Sequence, residues 1–279
     1  MRSVVRDSTT RTQSTSSLQS QLRVPPDGPE VSVNSEYDRI GVRYARTRKA
    51  DARLATLILS QLEGTRTVVN VGAGAGSYEP TDRFAVAVEP SAVMIGQRRP
   101  GSAPVVQALA ESLPFPDSSF EAGLAVLTVH HWHDPDSGLA ELSRVVRKRI
   151  VMLTWDPSSD GFWLMQDYFP EFLEVDRKRI PSLDRLQQFL SQSQITTVPI
   201  PHDCADGFLG AYWRRPEAYL DPDVRNGISS FAKCQDLTAL RRLEQQLDSG
   251  EWARRYGDLL ALDELDLGYR LIVGRPATG

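Results

Sequence analysis

Val68-Val-Asn-Val-Gly-Ala-Gly-Ala-Gly-Ser-Tyr-Glu79 is followed by a second apolar run, Ala85-Val-Ala-Val-Glu-Pro-Ser91, that places Glu89 nineteen positions after Asn70. A β-branched run closing on Gly72, Gly74 and Gly76 predicts a buried parallel strand. It opens into a loop stripped of side chains so that a ligand can lie against the backbone. An acid at the end of the next strand, about 20 residues on, suits a ribose, because an ionised carboxylate accepts hydrogen bonds from both hydroxyls. The stretch therefore reads as a nucleoside-binding βαβ unit.

The third glycine narrows the nucleoside. The dinucleotide fingerprint G-x-G-x-x-G would place its last glycine at Ser77, where the missing Cβ is needed for close helix–strand packing, whereas the spacing here is G-x-G-x-G. A nicotinamide oxidoreductase is disfavoured on that ground. The spacing resembles motif I of class I S-adenosylmethionine-dependent methyltransferases, and the resemblance continues in order along the chain. Glu89-Pro-Ser91 is similar to motif II. Ala108-Leu-Ala-Glu-Ser-Leu-Pro-Phe-Pro-Asp-Ser-Ser-Phe-Glu121 is similar to the D-A-E-x-L-P-F-x-D-x-S-F-D segment of the ubiquinone/menaquinone-biosynthesis-like branch (methyltransferase type 11). Ala122-Gly-Leu-Ala-Val-Leu-Thr-Val-His-His-Trp132 looks like the fourth strand with motif IV at its end. Ala140–Val146 reads as a helix and Arg149–Trp155 as the fifth strand.

The resemblance implies an α/β fold: a Rossmann-like, seven-stranded, mostly parallel sheet with helices on both faces and a helical cap insertion. It also implies S-adenosyl-L-methionine as cofactor, held by Asn70, Gly72, Ala73, Gly74, Gly76, Glu89, Pro90, Ala110, Glu111, Leu127 and Thr128. In related enzymes the N-terminal segment folds over the methionine end, which makes Tyr37, Tyr44 and Arg48 candidates for closing the pocket, Arg48 by pairing with the ligand carboxylate. The chain departs from the family pattern twice. Asn70 stands where an acid is usual and supplies no charge, and Leu109 stands where an Asp would take the adenine amine. Both departures keep open a protein that binds the cofactor without transferring a methyl group.

Methyl transfer from a sulfonium needs alignment of the nucleophile and exclusion of water before anything else. An oxygen or nitrogen acceptor of high pKa still needs a general base, and His131 or His130, after the fourth strand, has an imidazole suited to that task. If the strand continues that far, its alternation puts the two rings on opposite sides. The aromatics Phe162, Trp163, Tyr168, Phe169, Tyr212, Trp213 and Phe231 fit either a core or a lid for an aromatic or lipophilic small-molecule acceptor.

Residues 1–35, rich in Ser, Thr, Gln and Arg, predict a disordered tail. The methyltransferase domain is expected over 36–279: an N-terminal lid helix at 36–64, a cofactor-binding core at 66–155, a sixth strand (Gln194–Ile200) plus helical acceptor cap at 156–264, and the last strand at 265–274. Helices are also expected at Phe162–Phe169, Leu186–Leu190, Leu209–Trp213 and Leu237–Leu247. The net charge of −4 argues against a nucleic-acid surface, and Arg147-Lys-Arg149 and Arg177-Lys-Arg179 read as solvated helix ends. No apolar run reaches the ~20 residues that span a bilayer. Cys204 and Cys234 are widely separated, lack metal-ligand spacing and suit a reducing, cytoplasmic compartment. No metal is expected, and a homodimer is open.

Overall fold

The computed structural model describes residues 37, 38, 41, 44–234 and 236–277. The expected disordered tail at 1–35 lies outside them. Nine strands follow in chain order: β1 (Thr67–Val71), β2 (Phe84–Val88), β3 (Val105–Val106), β4 (Phe120–Val126), β5 (Val146–Trp155), β6 (Leu190–Thr197), β7 (Ile200–Pro201), β8 (Glu264–Leu265) and β9 (Tyr269–Pro276). Seven form one sheet in the order β3-β2-β1-β4-β5-β9-β6, parallel through β5, with β9 antiparallel to both β5 and β6. Every residue of β1 is buried, as a strand covered on both faces requires. This is the Rossmann-like fold expected from the sequence.

The sheet reverses its strand order between β1 and β4, which opens a crevice beyond their carboxyl ends. Helix α1 (Ala52–Ser60) starts at Asp51, whose side chain accepts from the Arg53 amide, and buries Leu54 and Ile58. Helix α2 (Pro135–Val145) starts at Asp134 and buries Leu139 and Leu142. Two apolar clusters result. One holds Leu54, Ile58 and the cap aromatics; the other holds Leu139, Leu142, Phe115 and Phe120.

Several expected boundaries move. The lid is not one helix: a short turn at Tyr44–Thr47 is separated from α1 by Arg48–Asp51. Strand β4 stops at Val126, and Val129–His131 form a 3-10 turn, so strand alternation does not reach the histidines. The expected strand at Gln194–Ile200 splits at Pro199, which has no N–H for a ladder. Its first part belongs to β6, while Ile200–Pro201 pair with Glu264–Leu265 in a separate two-stranded sheet. Leu190, expected in a helix with Leu186, opens β6 instead. The last strand begins at Tyr269 rather than Leu265, after Gly268 turns the chain at φ 89°; a Cβ there would sit 2.9 Å from the Asp156 carbonyl oxygen.

The cap lies on both sides of β6 in the chain, with helix α3 (Pro170–Arg179) before it and helix α4 (Thr238–Asp248) after it. Phe162–Phe169 contains a π-helical turn at Leu164–Tyr168, and Leu209–Tyr212 is a 3-10 turn.

Candidate active site

A cavity of about 830 Å³ fills the crevice. Asn70, Gly72, Ala73, Gly74, Glu89, Pro90, Ala110, Glu111, Leu127, Thr128, His130, His131, Tyr37, Tyr44 and Arg48 all line it; Gly76 does not. Fifteen of the sixteen residues named from the sequence are thus brought together. Gly76 turns the loop at φ 89° from behind, close to Arg98 and Glu79.

The loop is held by its own backbone. The amides of Gly72 and Ala73 donate to the Val88 carbonyl (2.9 and 3.0 Å), and the Gly74 amide donates to Glu89 Oε2 (2.8 Å). The Ser91 amide donates to Glu89 Oε1 (3.0 Å), so one buried carboxylate ties both loops together. Burial raises the Glu89 pKa above the usual carboxylate range, against the opposing pull of those two amides. At Gly72 the missing side chain serves the protein itself: a Cβ would lie 1.9 Å from Thr128 Oγ1, at the end of β4, and φ is 71°. Leu127 next to it has φ 50°, a strained value for a branched residue at the cavity edge.

Two acids missed in the sequence organise the surroundings. Each Glu79 oxygen accepts from Arg98 Nη2 (2.6 and 2.8 Å); Oε2 also accepts from the Ala103 amide (3.1 Å) and Oε1 from Asn70 Nδ2 (3.5 Å), which places a carboxylate beside the amide that replaces the family's acid. Asp206, fully buried, accepts from Arg48 Nε (2.6 Å) and the Tyr78 hydroxyl (2.9 Å). Burial opposes the Arg48 charge, yet Asp206 holds its pKa well above the ordinary value; Tyr44 and Tyr78 are pushed up, first by burial. Arg48 was expected to pair with a ligand carboxylate, and its partners here are Asp206 and the Tyr44 hydroxyl. The only sequence signal for Asp206 is an acid inside the apolar stretch from Cys204 to Leu209.

Glu111 is also engaged: its Oε1 accepts from the amides of His133 (2.6 Å) and Asp134 (3.0 Å), fixing the loop that leads into α2. It shapes the wall rather than offering that oxygen to an adenine.

The two histidines face the same cavity, against the alternation expected from a strand. In the 3-10 turn their ring centroids lie 3.9 Å apart. His131 Nε2 is 2.8 Å from the Tyr37 hydroxyl, and the rings meet edge to face. Asp38 accepts from Ser91 Oγ (2.6 Å), so residues 37 and 38 are anchored at both the histidine turn and the second motif. Lys178 and Arg179, expected to be only a solvated helix end, reach the rim. Among the described residues no group of three or more His, Cys, Asp or Glu is placed to hold a metal, and no helix is long and apolar enough to cross a membrane.

Comparison with known proteins agrees with this geometry. Residues 69–153 match the family described as methyltransferase domain. A protein of Anabaena variabilis, described as a candidate methyltransferase from an antibiotic biosynthesis pathway, is 36% identical, with a TM-score of 0.75; the match covers 82% of this chain and 98% of that one. The fatty-acid O-methyltransferase of Mycolicibacterium smegmatis is 27% identical over 181 residues, 61% of this chain and 58% of that protein. The uncharacterized protein YafE of Escherichia coli is 36% identical over 55 residues, 20% of this chain. The chain thus spans 27% and 58% of these two curated relatives. The chain belongs to the class I S-adenosylmethionine-dependent methyltransferases. Its cofactor is S-adenosylmethionine. The cavity's chemistry fits that molecule, with a carboxylate at Glu89, a cation at Arg48 and apolar side chains of Pro90, Met94 and Leu109 between the two loops.

Proposed function

We propose that the protein transfers a methyl group from S-adenosylmethionine to a small-molecule acceptor, with His131 as the group that receives the acceptor's proton. The observation that carries this reading is the Tyr37 hydroxyl 2.8 Å from His131 Nε2, where the 830 Å³ cavity meets a second chamber. When bound, the cofactor supplies the methyl as an activated sulfonium, whose sulfur keeps the electron pair of the broken bond.

The protein's own residues bind, orient and move one proton. Glu89 accepts from the ribose hydroxyls on the side of each oxygen not used by the loop amides. The Asn70 carbonyl and Arg48 address the amino and carboxylate groups of the methionine end, and Tyr44 covers it. Pro90, Leu109 and Ala110 give the adenine an apolar slot. A proton leaving the acceptor reaches His131 Nε2 through the Tyr37 hydroxyl or in its place. Tyr37 and Tyr44 also exclude water, which strengthens each of these interactions.

Calorimetry with S-adenosylhomocysteine and with NADH tests the ligand, and incubation with methyl-labelled cofactor and a metabolite extract tests transfer. Binding of the first ligand with label appearing in a small product is expected. NADH binding alone would overturn the reading. Cofactor binding with no label transferred under any acceptor would favour the non-transferring alternative that Asn70 and Leu109 keep open.

A further inference from the structure

Behind the histidines lies a chamber of about 130 Å³ that shares Tyr37, Arg48, Leu127, His130, His131, Arg179 and Ile180 with the cofactor cavity. Its wall is set by Trp155, Phe162, Met165, Phe172, Phe208 and Tyr269, all buried. The polar edges of two of these aromatics are turned to the backbone. Trp155 Nε1 donates to the Leu267 carbonyl (2.6 Å), and the Tyr269 hydroxyl accepts from the Gly210 amide (3.2 Å). Trp155, Phe162, Met165, Phe172, Phe208 and Tyr269 thus give the chamber ring and thioether surface, and Glu171, Asp176, Arg179, Ser229, Ser230 and Cys234 also line it. Tyr37, His130 and His131 line both spaces and stand between the chamber and the cofactor cavity.

Size restricts the occupant further. An apolar cavity of about 150 Å³, made by truncating a core side chain in an unrelated protein, stays dry and takes up benzene. A chamber of 130 Å³ therefore holds about one six-membered ring. Aromatic walls favour an aromatic guest, because edge-to-face contacts add to simple burial.

We infer that the acceptor is a phenol: a single aromatic ring seated among Phe162, Phe172 and Tyr269, with its hydroxyl presented to Tyr37 and His131. A phenol has a pKa near that of tyrosine, about 10, so it is largely protonated at neutral pH and needs the base that stands there. A carboxylic acid, ionised without help, would leave that base without a task. This inference rests on the methyltransferase reading and adds the chemical class of its acceptor.

The experiment is calorimetric titration of the S-adenosylhomocysteine-loaded protein with phenol, catechol, 1-naphthol and decanoate, for the wild type, Ile228→Phe and Phe172→Ala. Ile228 is buried and lines only this chamber, so a larger side chain fills it. Phenol or catechol is expected to bind the wild type, and Ile228→Phe to weaken that binding at least tenfold while S-adenosylhomocysteine affinity stays within twofold. Phe172→Ala should gain 1-naphthol. The inference is overturned if decanoate or 1-naphthol binds the wild type as tightly as phenol does, or if Ile228→Phe leaves phenol affinity unchanged. Retained S-adenosylhomocysteine binding shows that each variant is folded. A wild type that fails to bind S-adenosylhomocysteine would remove the methyltransferase reading and this inference with it.

Discussion

The floor of the cofactor cavity and the walls of the inner chamber are made of different materials. The floor is backbone: three consecutive loop amides, donating to the Val88 carbonyl and the Glu89 carboxylate, come from residues within twenty positions of one another. The chamber is side chain: Trp155 and Tyr269 from paired strand ends, Phe172 from α3, and Phe162 and Phe208 from beside irregular turns arrive from segments spread over more than a hundred positions. A ligand common to a whole family can be held largely by main chain, whose N–H and C=O groups most side-chain substitutions leave in place. An acceptor particular to one protein has to be held by parts that substitution can change.

The sharpest break between the two regions is expected at the turn that joins them. With a phenol as acceptor, His131→Ala should lower turnover by roughly 10²–10⁴-fold with S-adenosylhomocysteine affinity little changed. The wild-type rate should fall toward acid pH, where a general-base imidazole takes a proton. His130→Ala is the sharper comparison now that both rings face one cavity: an equal loss would divide the role between them, and an unshifted pH profile would make both of them wall.

Asp206→Ala tests how the cap is fastened to the core. Removing one partner of a buried pair strands the other charge, so unfolding in urea should show a loss of about 3–5 kcal/mol. A loss under 1 kcal/mol would mean that water or Tyr44 takes over Arg48. Gly72→Ala probes the floor. Its φ costs about 1–2 kcal/mol for a residue with a Cβ, and the overlap with Thr128 adds about 1–3. Thr128→Ala in the same chain should recover only the second part, and full recovery would show that the loop's conformation is not needed.

Glu89→Ala should weaken S-adenosylhomocysteine at least tenfold by calorimetry. Because burial raises the Glu89 pKa, the folded protein keeps this proton to higher pH than the unfolded chain does. This group's contribution to stability therefore falls as pH rises from the ordinary carboxylate pKa through the raised one. Glu89→Gln should flatten that part of the dependence of Tm on pH, above the ordinary carboxylate pKa of about 4.3. An unchanged slope would assign it elsewhere.

The same division explains what the sequence could reveal. Val68–Glu79 and Glu89 state their roles locally, through β-branched runs, glycine spacing and one acid at a strand end, and the cavity gathers what they predicted. His130 and His131 were placed at the right end of the right strand, but Val126 ends β4 before them, and only the 3-10 turn decides that they face together. Glu79 is given no role by the glycine pattern it follows, and Asp206 shows only as an acid inside an apolar stretch. Each acquires its role from partners brought close by the fold, Arg48 at a separation of 158 residues and Arg98 at 19. Pro199, with its missing N–H, was readable as a strand break, and the β-branched run Ile195-Thr-Thr-Val198 before it and Ile200 after it hid that.

The sheet order carries a consequence for how the chain acquires its shape. Strand β6 borders only β9, and β9 lies between β5 and β6, so residues 269–276 are the last to be synthesised among the strands and the ones that seal the sheet. Until they arrive, Ile150–Trp155 of β5 present an open edge of six residues, all buried in the finished sheet, to any extended chain nearby. Burial on a nascent chain is thus complete only when its final strand has left the ribosome. A stop codon a few residues before Tyr269 would release a polypeptide with nearly every cofactor contact encoded and with a sticky edge exposed, material for aggregation and proteolysis rather than for catalysis.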